Sequence, residues 1–141
     1  MRDERPLVVV LDGQGGGLGR ALVARLKEQL PQLHVRALGT NTAATEAMLK
    51  AGAEDGATGE NAIVFNAGRA DFIVGSVAIL MANGLLGEIS PRMAEAVGAS
   101  PAIKVLLPAN RCGIRLAVGE EQPLRRYLDN CVDIIARELE E

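Results

Sequence analysis

The sequence predicts an α/β fold, a three-layer α/β/α sandwich around a mainly parallel sheet of about five strands, and three observations carry that expectation. Short β-branched apolar runs alternate with stretches of helical periodicity along the chain. The 141 residues suffice for one buried core, so a single domain over residues 1–141 is expected; two would each be too small. With 48% hydrophobic but only 2% aromatic residues, that core must be built from Val, Ile, Leu, Ala and Met, the composition of a parallel sheet covered on both faces.

The elements follow in order. Leu7–Leu11, LVVVL, is a continuous apolar run and reads as a first strand buried on both sides. Leu18, Leu22, Leu26 and Leu30 then recur every four residues, giving one apolar face of a helix that stops at Pro31. Leu33–Leu38 is a second strand. His34 and Arg36 alternate there with apolar neighbours, which places that strand at a sheet edge and His34 on the surface. A helix over Thr42–Ala51 is capped by Asn41 or Thr42 and ended by Gly52. Thr58–Asn66 admits either helix or strand; it is read as helix, because Thr58 can cap it and a charged linker follows. Phe72–Gly75 is the third strand, Ser90-Pro91 opens a helix that Gly98 ends, and Ile103–Leu107 is the fourth strand.

Ile114–Val118 reads as a fifth strand. Only the six residues PANRCG separate it from the fourth, whereas a parallel crossover needs a dozen or more, so it is expected to turn back antiparallel. From Pro123 a last helix carries Leu124, Tyr127, Leu128, Cys131, Ile135 and Leu139 on one stripe. Right-handed crossovers then predict the order 2-1-3-4 with strand five antiparallel beyond strand four. Ligands of such sheets lie outside the carboxyl ends of the strands where the order reverses, here between strands one and three.

Composition excludes several functions. A net charge of −3, no Trp and a single Tyr leave neither an electrostatic footprint nor a stacking platform for nucleic acid. The opening residues MRDER are charged and run straight into a strand, so no signal peptide is expected and the protein is placed in the cytoplasm. The uncharged stretch Phe72–Gly87 is broken by Ser76, Asn83, Gly75, Gly84 and Gly87 and is shorter than the roughly 20 apolar residues of a membrane span. It reads as core or subunit interface, and a homodimer or larger homo-oligomer is expected. Cys112 and Cys131 match no metal or disulfide spacing, so no metal site is expected.

Directly after the first strand comes Asp12-Gly13-Gln14-Gly15-Gly16-Gly17-Leu18-Gly19, five glycines in seven residues from Gly13. Consecutive glycines permit positive φ and remove side chains, so several amides can converge on one anion at the helix N-terminus. The bland alternative is a tight strand-to-helix turn, which one or two glycines would satisfy. The spacing G-x-G-x-x-G fails, because the sixth position from Gly13 is Leu18 and from Gly15 is Arg20; G-x-x-x-G-x-G fits at Gly13, Gly17 and Gly19. With its continuation GLGRAL, the loop resembles that of the short-chain dehydrogenases/reductases over roughly the first forty residues. The resemblance implies a Rossmann-like domain whose loop holds the pyrophosphate of NAD or NADP. The catalytic Tyr-x-x-x-Lys of that family is missing, since Tyr127 is followed four residues later by Cys131, and NAG at Asn66–Gly68 falls too early. No ordinary reductase is expected, and catalytic residues remain unassigned.

The other strand ends supply the remaining candidates. Asp12 would repel a bound phosphate unless Mg²⁺ or a hydrogen-bond network intervened, and it reads first as a cap on the loop's own amides. Where an NAD enzyme places an acid, this chain has Thr40, Asn41 and Thr42, which either tolerate a 2′-phosphate or simply cap a helix. Gly75 and Ser76 end strand three. Asn110 and Arg111 follow strand four, with Arg111 suited to phosphate or carboxylate. Taken end to end, DGQGGGLG, ALGTNTAAT, MLKAGAEDGATGENAI, LGEISPRMAEAV and LPANRC identify the chain as a member of a small bacterial family of domains of unknown function. That resemblance implies a compact Rossmann-like domain and brings no activity. The leading expectation is a module binding a nucleotide or another small phosphate-containing ligand, as sensor, regulator or carrier. A small enzyme using Asp12, Ser76 or Cys112 on a phosphorylated or carboxylated metabolite is the second, and a structural subunit dimerising through Phe72–Leu86 the third.

Overall fold

A computed structural model of the protein describes residues 3–108 and 113–141. Its elements are β1 (Leu7–Asp12), α1 (Gly17–Gln29), β2 (His34–Gly39), α2 (Thr42–Lys50), β3 (Asp55–Thr58), α3 (Glu60–Ala67), β4 (Phe72–Ser76), a 3-10 turn over Val77–Leu80, α4 (Pro91–Ala99), β5 (Ile103–Leu107) and α5 (Leu124–Leu139). The strands form one sheet in the order β3-β2-β1-β4-β5, and every neighbouring pair is parallel. These are the first five places of a doubly wound sheet, and the order reverses between β1 and β4.

Alternation along β1 shows why its run of apolar residues has no polar face. Val8 and Val10 point into one core with Leu22, Leu26, Met48, Val74 and Ile135, so α1, α2 and α5 cover that side. Val9 and Leu11 point into the other, with Leu38, Ile63, Ile73 and Val97 under α3 and α4. Each such side chain contributes about 1.5–3 kcal/mol on burial. Phe72, Ile73, Val74 and Ile79 belong to these cores and Ala78 is buried too, whereas Leu80 and Leu86 of the same uncharged segment are exposed. Two caps stand where the sequence offers them. Asn41 Oδ1 accepts the Ala44 amide at 2.9 Å, and Ser90 Oγ accepts that of Met93 at 3.2 Å ahead of Pro91.

Three expectations need correction. The second strand is not an edge: β3 pairs with it from Arg36 to Gly39. His34 is accordingly buried, and its ring lies 3.0 Å from Asp55 Oδ2 and 3.1 Å from Asp3 Oδ2. Arg36 completes the cluster with bonds to both Asp55 oxygens at 2.8 and 3.0 Å and to Asn66 Oδ1 at 3.0 Å. Polar residues are tolerated inside the sheet because the incoming strand brings their counter-charge.

The helix expected from Thr58 starts at Glu60, with Gly59 as its N-cap at φ 100°; Thr58 instead closes β3. The expected order 2-1-3-4 lacks β3, and among the described residues no antiparallel strand follows β5. Gly113 and Gly119, at φ 74° and 91°, bracket the segment that had been expected to form it. Leu116 and Val118 stay exposed there.

Candidate functional site

β1 delivers the chain to the carboxyl edge of the sheet at Asp12, and residues 13–16 turn it into α1. Gln14 and Gly16 adopt left-handed backbone, φ 52° and 74°, and Gly16 is the helix N-cap. The Gly16 amide donates to Gly13 O at 2.9 Å, and the Arg20 amide to Gly16 O at 2.8 Å. Asp12 holds both ends of the turn: Oδ1 accepts the Gly13 amide at 2.8 Å and Oδ2 the Gly19 amide at 2.7 Å. Burial raises the Asp12 pKa above the usual carboxylate range; the two amides oppose that shift and the charge of Glu88 adds to it.

The glycines divide into two kinds. A Cβ on Gly16 would sit 2.9 Å from Ala44 Cα, and one on Gly19 would meet Met48 Sδ at 2.5 Å and Asp12 Cβ at 2.9 Å. At Gly13 it would meet Glu88 Oε1 at 2.5 Å and Thr40 Oγ1 at 2.7 Å. These three positions are glycine for reasons of packing or backbone. Gly15 and Gly17 differ, because a Cβ at either meets nothing within 4 Å and neither has positive φ. Among the described residues, the amides of Gly15, Gly17 and Leu18 have no protein acceptor.

Sequence reasoning missed Glu88. Its carboxylate accepts the Gln14 amide at 2.5 Å through Oε1, the Thr40 hydroxyl at 3.0 Å through the same oxygen, and the Asn41 side-chain amide at 3.3 Å through Oε2. Asn41 Nδ2 also donates to Gln14 O at 3.0 Å. An acid therefore stands at the end of β2 after all, brought by the loop after β4. One signal was available: Glu88 is the sole charge between Asp71 and Arg92.

The other expected residues are distributed as follows. Thr42 is the exposed first residue of α2, behind the Asn41 cap. Gly75 lies against β1, and a Cβ there would sit 2.7 Å from Leu11 O. Ser76 caps the 3-10 turn, its Oγ accepting the Ala78 amide at 3.0 Å. Asn110, Arg111 and Cys112 lie outside the described residues. The structure thus joins residues 12–19 with Thr40 and Asn41, and sets Gly75 and Ser76 at the adjacent strand end.

The His34 cluster lies at the amino end of the sheet, away from the glycine loop. Burial pushes the Cys131 thiol up to about 12, and the Tyr127 hydroxyl accepts the Gln122 amide at 2.9 Å. Among the described residues no group of three or more His, Cys, Asp or Glu could hold a metal ion, and no helix is long and apolar enough to cross a membrane. A concavity of about 350 Å³ beside the end of β5 is lined by Pro108, Arg115, Leu116, Val118, Glu121 and Tyr127.

The family model described as Domain of unknown function (DUF3842) matches residues 7–140. The chain belongs to the DUF3842 family. No curated protein matches it in sequence. Among solved structures, a dodecameric FMN-dependent UbiX-like decarboxylase from Escherichia coli O157:H7 is similar, with a TM-score of 0.50 and 15% identity over 96% of this chain and 95% of that one. At that identity the likeness is one of fold.

Proposed function

We propose that the protein is a nucleotide-binding module in which the loop Gly13–Gly19 holds a ligand's phosphate, serving as sensor, regulator or carrier. The observation that carries this reading is the pair Gly15 and Gly17. Neither backbone conformation nor packing requires glycine at these two positions. A tight turn accounts for Gly13, Gly16 and Gly19 and leaves these two without a purpose, whereas a ligand approaching the bare backbone needs them. The unengaged amides of Gly15, Gly17 and Leu18 face that approach at the positive end of α1.

The site lies at the switch point between β1 and β4, where doubly wound sheets hold their ligands. NAD and other nucleotides are the candidates, and the fold shared with an FMN-dependent enzyme adds FMN. Asp12 is a poor choice of reactive group for the enzyme reading, because both its oxygens are engaged by loop amides. The proposal also assigns ligand contact to Asn110 and Arg111, which follow β5 in sequence and lie outside the described residues. A homo-oligomer remains part of the proposal, tested by gel filtration against the 14.8 kDa chain mass. The site itself is tested by thermal shift with NAD, NADP, FMN, ATP and coenzyme A. A ligand at a hundred times its dissociation constant stabilises by about 2.7 kcal/mol, and no shift with any of them refutes the reading.

A further inference from the structure

Three donors from two separate turns converge on the Glu88 carboxylate: the Gln14 amide of the glycine loop, and the Thr40 hydroxyl and Asn41 side-chain amide that follow β2. This is an anion-binding arrangement already occupied by the protein's own anion. We infer that Glu88 is an intramolecular competitor for the phosphate site, a side-chain gate that an incoming phosphate must displace. The inference rests on the nucleotide-binding reading and adds its regulation.

The loop that carries Glu88 is built to hold it in place while leaving the side chain independent. Residues 83–89 are tied to one another by backbone bonds, Asn83 N to Ile89 O at 2.6 Å, Gly87 N to Asn83 O at 3.0 Å and Ile89 N to Gly84 O at 3.0 Å. Ile89 is fully buried and Leu85 packs on the same core, so the loop is anchored without Glu88. Rotation of one side chain frees all three donors. No backbone bond within this loop need break.

Bonds to an ionised acceptor are roughly twice as strong as those between neutral groups, so the carboxylate holds the donors more firmly than a neutral side chain would. A second anion in the same place also meets its repulsion. Removing the charge while keeping the shape therefore favours the external phosphate. Glu88→Gln keeps one carbonyl oxygen for Gln14 or Thr40 and should bind phosphate-bearing probes about tenfold more tightly.

The test measures pyrophosphate, ATP and FMN binding by calorimetry to the native chain and to Glu88→Gln, with Glu88→Ala as a second variant and circular dichroism to verify folding of both. Tighter binding of at least one probe to both variants supports the gate. Equal or weaker binding to the variants, with the native chain binding, overturns the gate and leaves the nucleotide reading standing; weaker binding would make Glu88 a ligand contact. If no probe binds any of the three proteins, the nucleotide reading falls and the gate falls with it. A hydrogen-exchange comparison gives an independent readout: pyrophosphate should leave the amides of residues 83–89 as protected as before, because only the side chain moves, and loss of that protection would overturn the side-chain mechanism.

Discussion

Gly17→Ala is the substitution on which the two accounts of the glycine loop diverge most. Gly17 is the first residue of α1 and has no positive φ, and a Cβ there meets nothing within 4 Å. Alanine fits this backbone without strain and restricts the unfolded chain, so the unliganded protein should gain about 0.4–1 kcal/mol. For a domain of this size that raises the midpoint of thermal unfolding on the order of 1–4 °C. Gly19→Ala, two residues on, is the control: its Cβ would press on Asp12 Cβ and Met48 Sδ, and the crowding should cost about 1–3 kcal/mol. Urea unfolding followed by circular dichroism measures both. If Gly17→Ala loses 1 kcal/mol or more, the fold itself needs that glycine, and the argument that it is kept bare for a ligand is refuted.

Three other outcomes are expected. Asp12→Ala leaves the buried Gly13 and Gly19 amides without their acceptor and should destabilise by about 1–3 kcal/mol for each, read from urea unfolding; unchanged stability would mean the carboxylate does not hold the loop. Hydrogen bonds from Arg36 hold Asp55 below the usual carboxylate range against the effect of burial, and His34 adds to them. Its contribution is therefore complete above the unfolded value near 3.8 and is lost as pH falls through the lower folded value. Stability measured from pH 5 down to pH 2 should fall less steeply in Asp55→Asn than in the native chain, and an identical slope would exclude this cluster as an acid-sensitive one. Cys131, buried and with its thiol pushed up to about 12, should resist iodoacetamide at pH 8 until the protein unfolds. Rapid native-state labelling of that residue would contradict the packing of α5.

Where each strand or helix carries its own pattern, the sequence and the structure agree. Val8 to Leu11 alternate between two cores, Leu22 and Leu26 lie on the buried face of α1, and Asn41, Ser90 and Pro91 mark helix starts by chemistry that is local to them. β3 was illegible because Asp55–Thr58, DGAT, has no apolar run. It exists because Arg36 and His34 need Asp55, and because Gly56 lets the backbone close to Ala37 O, 2.9 Å from where a Cβ would sit. The same pair of residues misled the reading of β2 as an edge, since a charge inside a sheet is invisible until its partner is placed. Ile114–Val118 shows the reverse: alternation alone, between two left-handed glycines and with Leu116 and Val118 exposed, does not make a strand.

The candidate site was half legible. Asp12 as a cap follows from its position before the loop, but five glycines in a row of seven look alike in sequence, and only packing separates the three the fold requires from the two it does not. Glu88 reaches Gln14 across 74 residues of chain, a separation no local pattern encodes.

The central claim is tested most directly by comparing ligand-induced stabilisation in the native chain and in Gly17→Leu, with the panel NAD, FMN and ATP. The open space at Gly17 lets the variant keep its helix content, while the added side chain covers the bare backbone at the start of α1. At least one nucleotide should stabilise the native protein and lose that effect in the variant. Stabilisation that survives in Gly17→Leu would move the site away from the loop, and a native chain indifferent to all of these ligands would reduce the loop to a turn.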